Sequence, residues 1–122
     1  MKLIVAYGRP GSGKTTKLKS LQGTYYDFDT PDKRKTVKKF IEDLPDGTHI
    51  IDFFLTDVND FVEFFFKNHP IALLEIYEFD TPIEICLERD FGRRTKSSEE
   101  LITKMVLEKI SERENLTIYK GN

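Results

Sequence analysis

The residues whose types and spacing most clearly predict chemistry form a glycine-rich loop near the start of the chain. This loop, residues 8–15, reads GRPGSGKT and matches the pattern G-x-x-x-x-G-K-[ST] in full. Glycines let such a backbone curl so that successive N–H groups point inward and form a nest for an anion. The helix N-terminus behind the loop adds its positive end, the lysine reaches the β- and γ-phosphates, and the last hydroxyl ligates Mg²⁺.

We therefore predict that ATP and Mg²⁺ bind at this loop. Lys14 is also a predicted catalytic residue, because it reaches the phosphate that would be transferred. The residues predicted to contact the nucleotide are Gly8, Pro10, Gly11, Ser12, Gly13, Lys14, Thr15 and Thr16.

A metal beside phosphates needs a carboxylate, and one acid stands inside the third apolar run of the chain. Asp52 occurs in the segment HIIDFF. Because Mg²⁺ is usually held by one or two carboxylates together with phosphate oxygens and water, Thr15 and Asp52 are the predicted metal ligands. The alternative is that Asp52 is a strand-end acid that faces solvent.

Three acids follow the second apolar run, near the edge of the sheet where open α/β folds bind ligands. Such an acid can accept the proton of a hydroxyl that attacks a phosphoryl group. Asp29 is favoured as this base, while Asp27 and Asp32 remain alternatives and are predicted to bind substrate. Strand alternation places Asp27 and Asp29 on the same face, so that one can support the other. The alternative for all three acids is N-terminal capping and dipole compensation of the basic helix, most readily for Asp32.

Arginines that can neutralise charge on a transferred phosphoryl group stand in two places. Arg89 ends a predicted helix, and Arg93 and Arg94 follow it in a loop that can close as a lid. Arg89 and Arg93 are predicted catalytic residues, since guanidinium is always charged and grips phosphate in a fork. Arg34, in a basic helix, is predicted to hold a phosphate of the acceptor. Solvated surface charge is the alternative for these arginines.

The elements that must position these residues alternate along the chain. Strands are predicted at residues 2–7, 24–29, 48–55 and 71–79, and helices at residues 14–21, 31–44, 58–69 and 82–91. Capping boxes are predicted at Thr81 to Glu84 and at Ser97 to Glu100, and the second opens a last helix. That helix is predicted to carry Leu101, Ile102, Met105, Val106 and Ile110.

Four consecutive βα units predict an α/β fold that forms a single domain over residues 1–122. The expected architecture is a P-loop NTPase-like three-layer sandwich, in which a mostly parallel sheet of about four strands has helices on both faces.

Composition limits the class of protein. Hydrophobic residues make up 39% of the 122 residues, enough to bury a core, and a single cysteine excludes an internal disulfide. No apolar run approaches the roughly 20 residues that span a bilayer, and the first residues do not form a signal peptide, so a cytoplasmic protein is expected. Residues 1–40 carry ten basic against three acidic side chains, and the remainder nine against eighteen. This asymmetry permits a polyanionic ligand on one face.

The chain resembles, over nearly its whole length, the kinase domain of phage-type polynucleotide 5′-kinases. GRPGSGKT matches that family's P-loop, and YYDFDTPDKR is similar to its strand followed by an acid and an arginine. FDTPIEICLERDFGRRTKSSEELITKM resembles its strand, capped helix, arginine lid and closing helix. The resemblance implies that Arg34 contacts the acceptor phosphate and that Arg89 and Arg93 hold lid positions. Pro31 stands where the family has its base, which reassigns that role to Asp29 or Asp32.

The expected function is transfer of the γ-phosphate of ATP to a hydroxyl, either a polynucleotide 5′-hydroxyl or a hydroxylated base in DNA. Residues 30–47 are too few to add the helical segment that encloses a small acceptor. The alternatives are a nucleoside or nucleotide kinase and a non-catalytic, ATP-dependent switch or assembly protein. The chain lacks the N-K-x-D motif that reads guanine, which argues against a GTPase.

Overall fold

Among the residues that the structure describes, five parallel strands and six helices form the fold. The computed structural model describes residues 1–90 and 96–122, and the side chains of residues 1–90 and 98–122. The strands are β1 (Lys2–Tyr7), β2 (Thr24–Asp27), β3 (Thr48–Asp52), β4 (Leu73–Glu78) and β5 (Leu116–Lys120), in the order β2-β3-β1-β4-β5. The helices are α1 (Lys14–Lys19), α2 (Pro31–Arg34), α3 (Val37–Glu42), α4 (Val58–Asn68), α5 (Ile83–Arg89) and α6 (Lys96–Lys104).

The most apolar strand, β1, lies at the centre of the sheet. Leu3 pairs with His49 on β3 and with Leu74 on β4, and both leucines are fully buried. Because all strands are parallel, the segments that follow β1, β2, β3 and β4 leave the sheet at the same edge. The glycine-rich loop and the acids of the second and third strands are thereby brought together.

Helices cover both faces of the sheet and make three layers. On one face, α3 and α4 enclose the larger core, to which α4 contributes the buried stripe Val58, Phe61, Val62, Phe65 and Phe66. On the other face, Leu18 of α1 packs against Ile4, Ala6, Ile50 and Phe79. The predicted α/β class and the predicted stripe of α4 are confirmed, and the sheet has five strands rather than about four. Within the described residues, no helix has the length and apolarity needed to cross a membrane.

The end of the chain differs most from the prediction. The last helix ends at Lys104, so Met105, Val106 and Ile110 lie beyond it. The Arg9 guanidinium donates to the carbonyls of Ile102 and Met105, both at 3.0 Å. In a longer helix these carbonyls would accept backbone N–H groups of the next turn. Ile110 is nonetheless buried, whereas Val106 is 81% exposed, so the apolar spacing indicated neither a continuous helix nor a uniformly buried segment.

Other boundaries also differ from the prediction. The basic helix is two helices, because the Thr36 hydroxyl and N–H both bond the Lys33 carbonyl and close the first one. Thr30 caps α2 with Pro31 behind it, as the sequence indicates. The strands β2 and β3 end at Asp27 and Asp52 instead of continuing to residues 29 and 55.

The capping box predicted at Thr81 is wrong. Pro82 is the residue before the first turn of α5, and no side chain caps that helix. The Thr81 hydroxyl is used elsewhere, since it donates to the Ser12 carbonyl at 3.0 Å. The side chain of Ser97, which the second capping box would use, lies outside the described residues.

Candidate functional site

A cavity of about 390 Å³ opens at the carboxyl edge of the sheet, above the glycine-rich loop. It is lined by the predicted site residues Pro10, Gly11, Ser12, Gly13, Lys14, Thr15, Thr16, Asp29, Arg34, Asp52 and Arg89. Gly8, Asp27 and Asp32 do not line it. Arg93 and Arg94 lie outside the described residues.

The conformation of the loop requires glycine at Gly13, which the motif specifies, and at Gly11, which occupies a variable position of the motif. Gly11 and Gly13 adopt left-handed φ angles of 78° and 104°, which other residues rarely take. A side chain on Gly11 would also come within 2.6 Å of the Cys86 carbonyl oxygen of α5. The Ser12 hydroxyl is buried beneath this curve and has no hydrogen-bond partner among the described residues. A phosphate therefore fits a loop that is already curled and that retains a spare donor.

The Lys14 side chain folds over the loop from the start of α1. Its ammonium donates to the carbonyls of Gly8 at 2.7 Å and Arg9 at 2.9 Å. The Phe54 ring lies 5.5 Å from the same nitrogen. Burial lowers the pKa of Lys14 to about 8, although the nearby carboxylates of Asp29 and Asp52 oppose the shift. The cation is thus held at the mouth of the loop in a weakly solvated setting.

The two predicted metal ligands contact each other directly. Asp52 ends β3 and is 4% exposed, which excludes the alternative that it faces solvent. The Thr15 hydroxyl donates to Asp52 Oδ2 at 2.7 Å. One carboxylate with one hydroxyl fits Mg²⁺, which takes its other ligands from phosphate and water. The described residues contain no group of three or more His, Cys, Asp or Glu that could hold a metal ion without such help.

Tyr25 is a site residue that the sequence did not reveal. Its hydroxyl donates to Asp52 Oδ2 at 2.6 Å, the same oxygen that Thr15 contacts. Burial and this bond both raise the pKa of Tyr25, so the phenol remains a donor. Tyr25 reaches Asp52 because β2 pairs with β3 in a register that sets Tyr25 beside Ile50. The sequence alone does not provide this register.

Replacing Tyr25 by phenylalanine is expected to lower the free energy of unfolding by about 2 kcal/mol, because a buried carboxylate loses a hydrogen bond. Urea denaturation at pH 7 measures the change. Tyr26→Phe is the matched control, since its hydroxyl makes only a 3.4 Å contact with His49. Equal effects of the two substitutions would contradict the role assigned to Tyr25.

Of the three candidate bases, Asp29 is the one that lines the cavity. Arg34 donates to Asp29 Oδ1 at 3.2 Å, and Asp27 Oδ1 accepts the N–H of Asp29 at 2.9 Å. Burial raises the pKa of Asp29, the Arg34 guanidinium opposes this, and Asp52 adds to it. Asp32 is exposed in the first turn of α2, away from the cavity. Asp29 is therefore accessible to a ligand in the cavity, and Asp27 supports it by accepting its backbone N–H.

Arginine contacts hold the loop from two directions. Arg89, the last residue of α5, donates to the Gly11 carbonyl at 3.4 Å from above the cavity. Arg9 joins the loop to the end of α6 through the bonds already described. Arg9 occupies a variable position of the motif, so the pattern could not single it out.

Comparison with known proteins does not identify a family for this chain. No protein-family model matches the chain, and no curated protein shows significant similarity to it. The function is inferred from the contacts of the site.

Proposed function

We propose that this protein is a P-loop phosphotransferase that moves the γ-phosphate of ATP to a hydroxyl group, with a nucleic acid as the favoured acceptor. One observation carries the proposal. A single cavity joins the curled loop and Lys14 with a buried carboxylate, Asp52, and with a second carboxylate, Asp29, that is paired to Arg34.

Each of these groups has a task in phosphoryl transfer. The loop N–H groups and Lys14 bind the phosphates, and Thr15 with Asp52 would hold Mg²⁺, which neutralises charge on the phosphate oxygens. Asp29 accepts the proton as the acceptor oxygen bonds to the γ-phosphorus and the bond to the β-phosphate oxygen breaks. Arg89 lies where it can offset charge on the transferred group. In a non-catalytic switch, neither Asp29 nor Arg89 would have a chemical task.

The shape around Asp29 favours an acceptor that extends beyond the cavity. A second cavity of about 250 Å³ shares Arg34, Phe53 and Phe54 with the first. Its wall carries Lys38 as well as the carboxylates of Asp57 and Asp60, so Arg34 and Lys38 are the groups that an anionic backbone would contact. Between β2 and β3 the chain forms two short helices, α2 and α3, of four and six residues. A segment of this size is too short to enclose a small acceptor, which favours an open acceptor site.

The test is transfer from γ-labelled ATP to a panel of acceptors. The panel contains 5′-hydroxyl oligonucleotides, hydroxymethylated DNA, nucleosides and nucleoside monophosphates. We expect label on a nucleic acid and loss of labelling when EDTA removes the metal. Label on nucleosides or nucleotides alone would instead indicate a small-molecule kinase. ATP binding without transfer to any acceptor would contradict the proposal and favour the switch.

A further inference from the structure

A buried threonine behind the glycine-rich loop is not assigned a role by the proposed function. Thr81 follows the end of β4 and is 5% exposed. Its hydroxyl donates to the Ser12 carbonyl at 3.0 Å and accepts from the Asn122 amide at 2.9 Å. Thr81 contacts the loop through the bond to Ser12 and does not line the cavity.

The bond to Ser12 fixes the orientation of one peptide in the loop. In a trans peptide the carbonyl and the following N–H point in opposite directions, and the described residues contain no cis peptide bond. The Ser12 carbonyl points to Thr81, so the N–H of Gly13 points away from it. Gly13 lines the cavity, where its N–H can donate to an anion.

Asn122 determines which way the threonine hydroxyl points. A hydroxyl has one proton, and the Thr81 oxygen already accepts from Asn122. Its proton is thereby left for the Ser12 carbonyl. The segment that carries Asn122 is itself held, because the Gly121 N–H donates to the Glu78 carbonyl at 2.8 Å.

We propose that Thr81 is a positioning residue that holds the Ser12–Gly13 peptide in the orientation that binds a triphosphate, with Asn122 orienting the Thr81 hydroxyl. The inference rests on the proposed function, since it assumes that the loop binds phosphate. It extends that function to a residue outside the motif and outside the cavity.

The test is the dissociation constant of Mg²⁺ and a non-hydrolysable ATP analogue, measured by calorimetry well below the melting temperature. Thr81→Val keeps the shape of the side chain but removes the donor, so we expect the constant to rise about tenfold. Thr81→Ser keeps the hydroxyl and is expected to remain within about twofold of the wild type. A purely structural role would lower the melting temperature of Thr81→Val and leave its affinity unchanged.

The outcomes separate this inference from the function on which it rests. Equal affinity of wild type and Thr81→Val overturns the inference alone, whereas a wild type that binds no analogue overturns both. If Thr81→Val does not fold, Asn122→Ala decides the question, because Asn122 is exposed and its loss should leave the fold intact. Its dissociation constant is then expected to rise about threefold, and an unchanged constant overturns the inference.

Discussion

Lys14→Ala is expected to weaken the binding of ATP with Mg²⁺ by at least about 100-fold, because it removes a cation that makes charge-assisted hydrogen bonds to phosphate. The Lys14 ammonium lies on the carbonyls of the loop itself, beside the anion nest. Calorimetric titration of the wild type and the variant measures the loss. Turnover of ATP should fall with it.

Lys17→Ala is the matched control for this substitution. Lys17 belongs to the same helix, and its ammonium lies 5.2 Å from the centre of the Tyr77 ring instead of on the loop. Both substitutions remove one positive charge, so a long-range effect of net charge would weaken binding equally in both. Equal losses would contradict a direct contact between Lys14 and phosphate.

The lowered pKa of Lys14 adds a dependence on pH to the same measurement. With a pKa of about 8, the side chain is charged below pH 8 and becomes neutral above it. Nucleotide affinity should therefore weaken as the pH rises through 8, and binding should take up protons near this pH. Removal of the side chain in Lys14→Ala should abolish this dependence.

Asp29→Asn is expected to keep ATP binding and to lower phosphoryl transfer by about 100- to 10,000-fold, the usual contribution of a positioned base. The amide preserves the shape of the side chain and cannot accept the acceptor's proton. Single-turnover transfer to the acceptor found in the panel measures the step, and calorimetry shows that nucleotide binding persists.

Asp32→Asn is the matched control for Asp29→Asn. Asp32 stands in the neighbouring helix turn, is exposed, and lies outside the cavity. We expect its transfer rate to stay within about threefold of the wild type, as for a surface substitution. Loss of transfer in Asp32→Asn with retention in Asp29→Asn would show that the base is misassigned.

The transfer rate should also respond to pH through Asp29. Burial raises the pKa of this carboxyl, so transfer should decline on acidification at a higher pH than for an ordinary aspartate. Arg34 opposes that shift, so Arg34→Gln should move the acidic limb to still higher pH. An acidic limb that does not move would argue against the pairing of Arg34 with Asp29 during transfer.

Features that depend on local pattern could be predicted from the sequence. The loop motif identifies Gly8, Gly13, Lys14 and Thr15 without any knowledge of the fold. The apolar stripe of α4 and the strand β1 follow from residue spacing alone. These elements can be predicted because the residues that they bury lie close together in the sequence and follow a regular spacing.

Features that depend on contacts distant in sequence could not be predicted. The last helix stops where Arg9 takes carbonyls more than ninety residues away. The sequence analysis predicts no strand in LTIYK, residues 116–120, although Leu116 and Ile118 alternate and pack against the larger core. Thr81 has the sequence context of a helix cap, and only the proximity of Ser12 redirects its hydroxyl.

In the candidate site, too, some features follow from local sequence and others from contacts distant in sequence. The sequence favours Asp29 as the base and leaves Asp27 and Asp32 as alternatives, and the fold separates them by placing Asp29 in the cavity and the other two outside it. Tyr25 acquires its contact with Asp52 only from the pairing of β2 with β3.

Amide NMR is the decisive measurement of whether the main chain of the glycine-rich loop binds a triphosphate. A ¹⁵N-labelled sample is titrated with Mg²⁺ and a non-hydrolysable ATP analogue. We predict that the largest shifts fall on the amides of Gly11, Gly13, Lys14 and Thr15, with smaller ones at Asp29 and Asp52. If saturating nucleotide leaves the chemical shifts of the loop amides unchanged, or changes only those of a different surface, the loop does not bind the triphosphate.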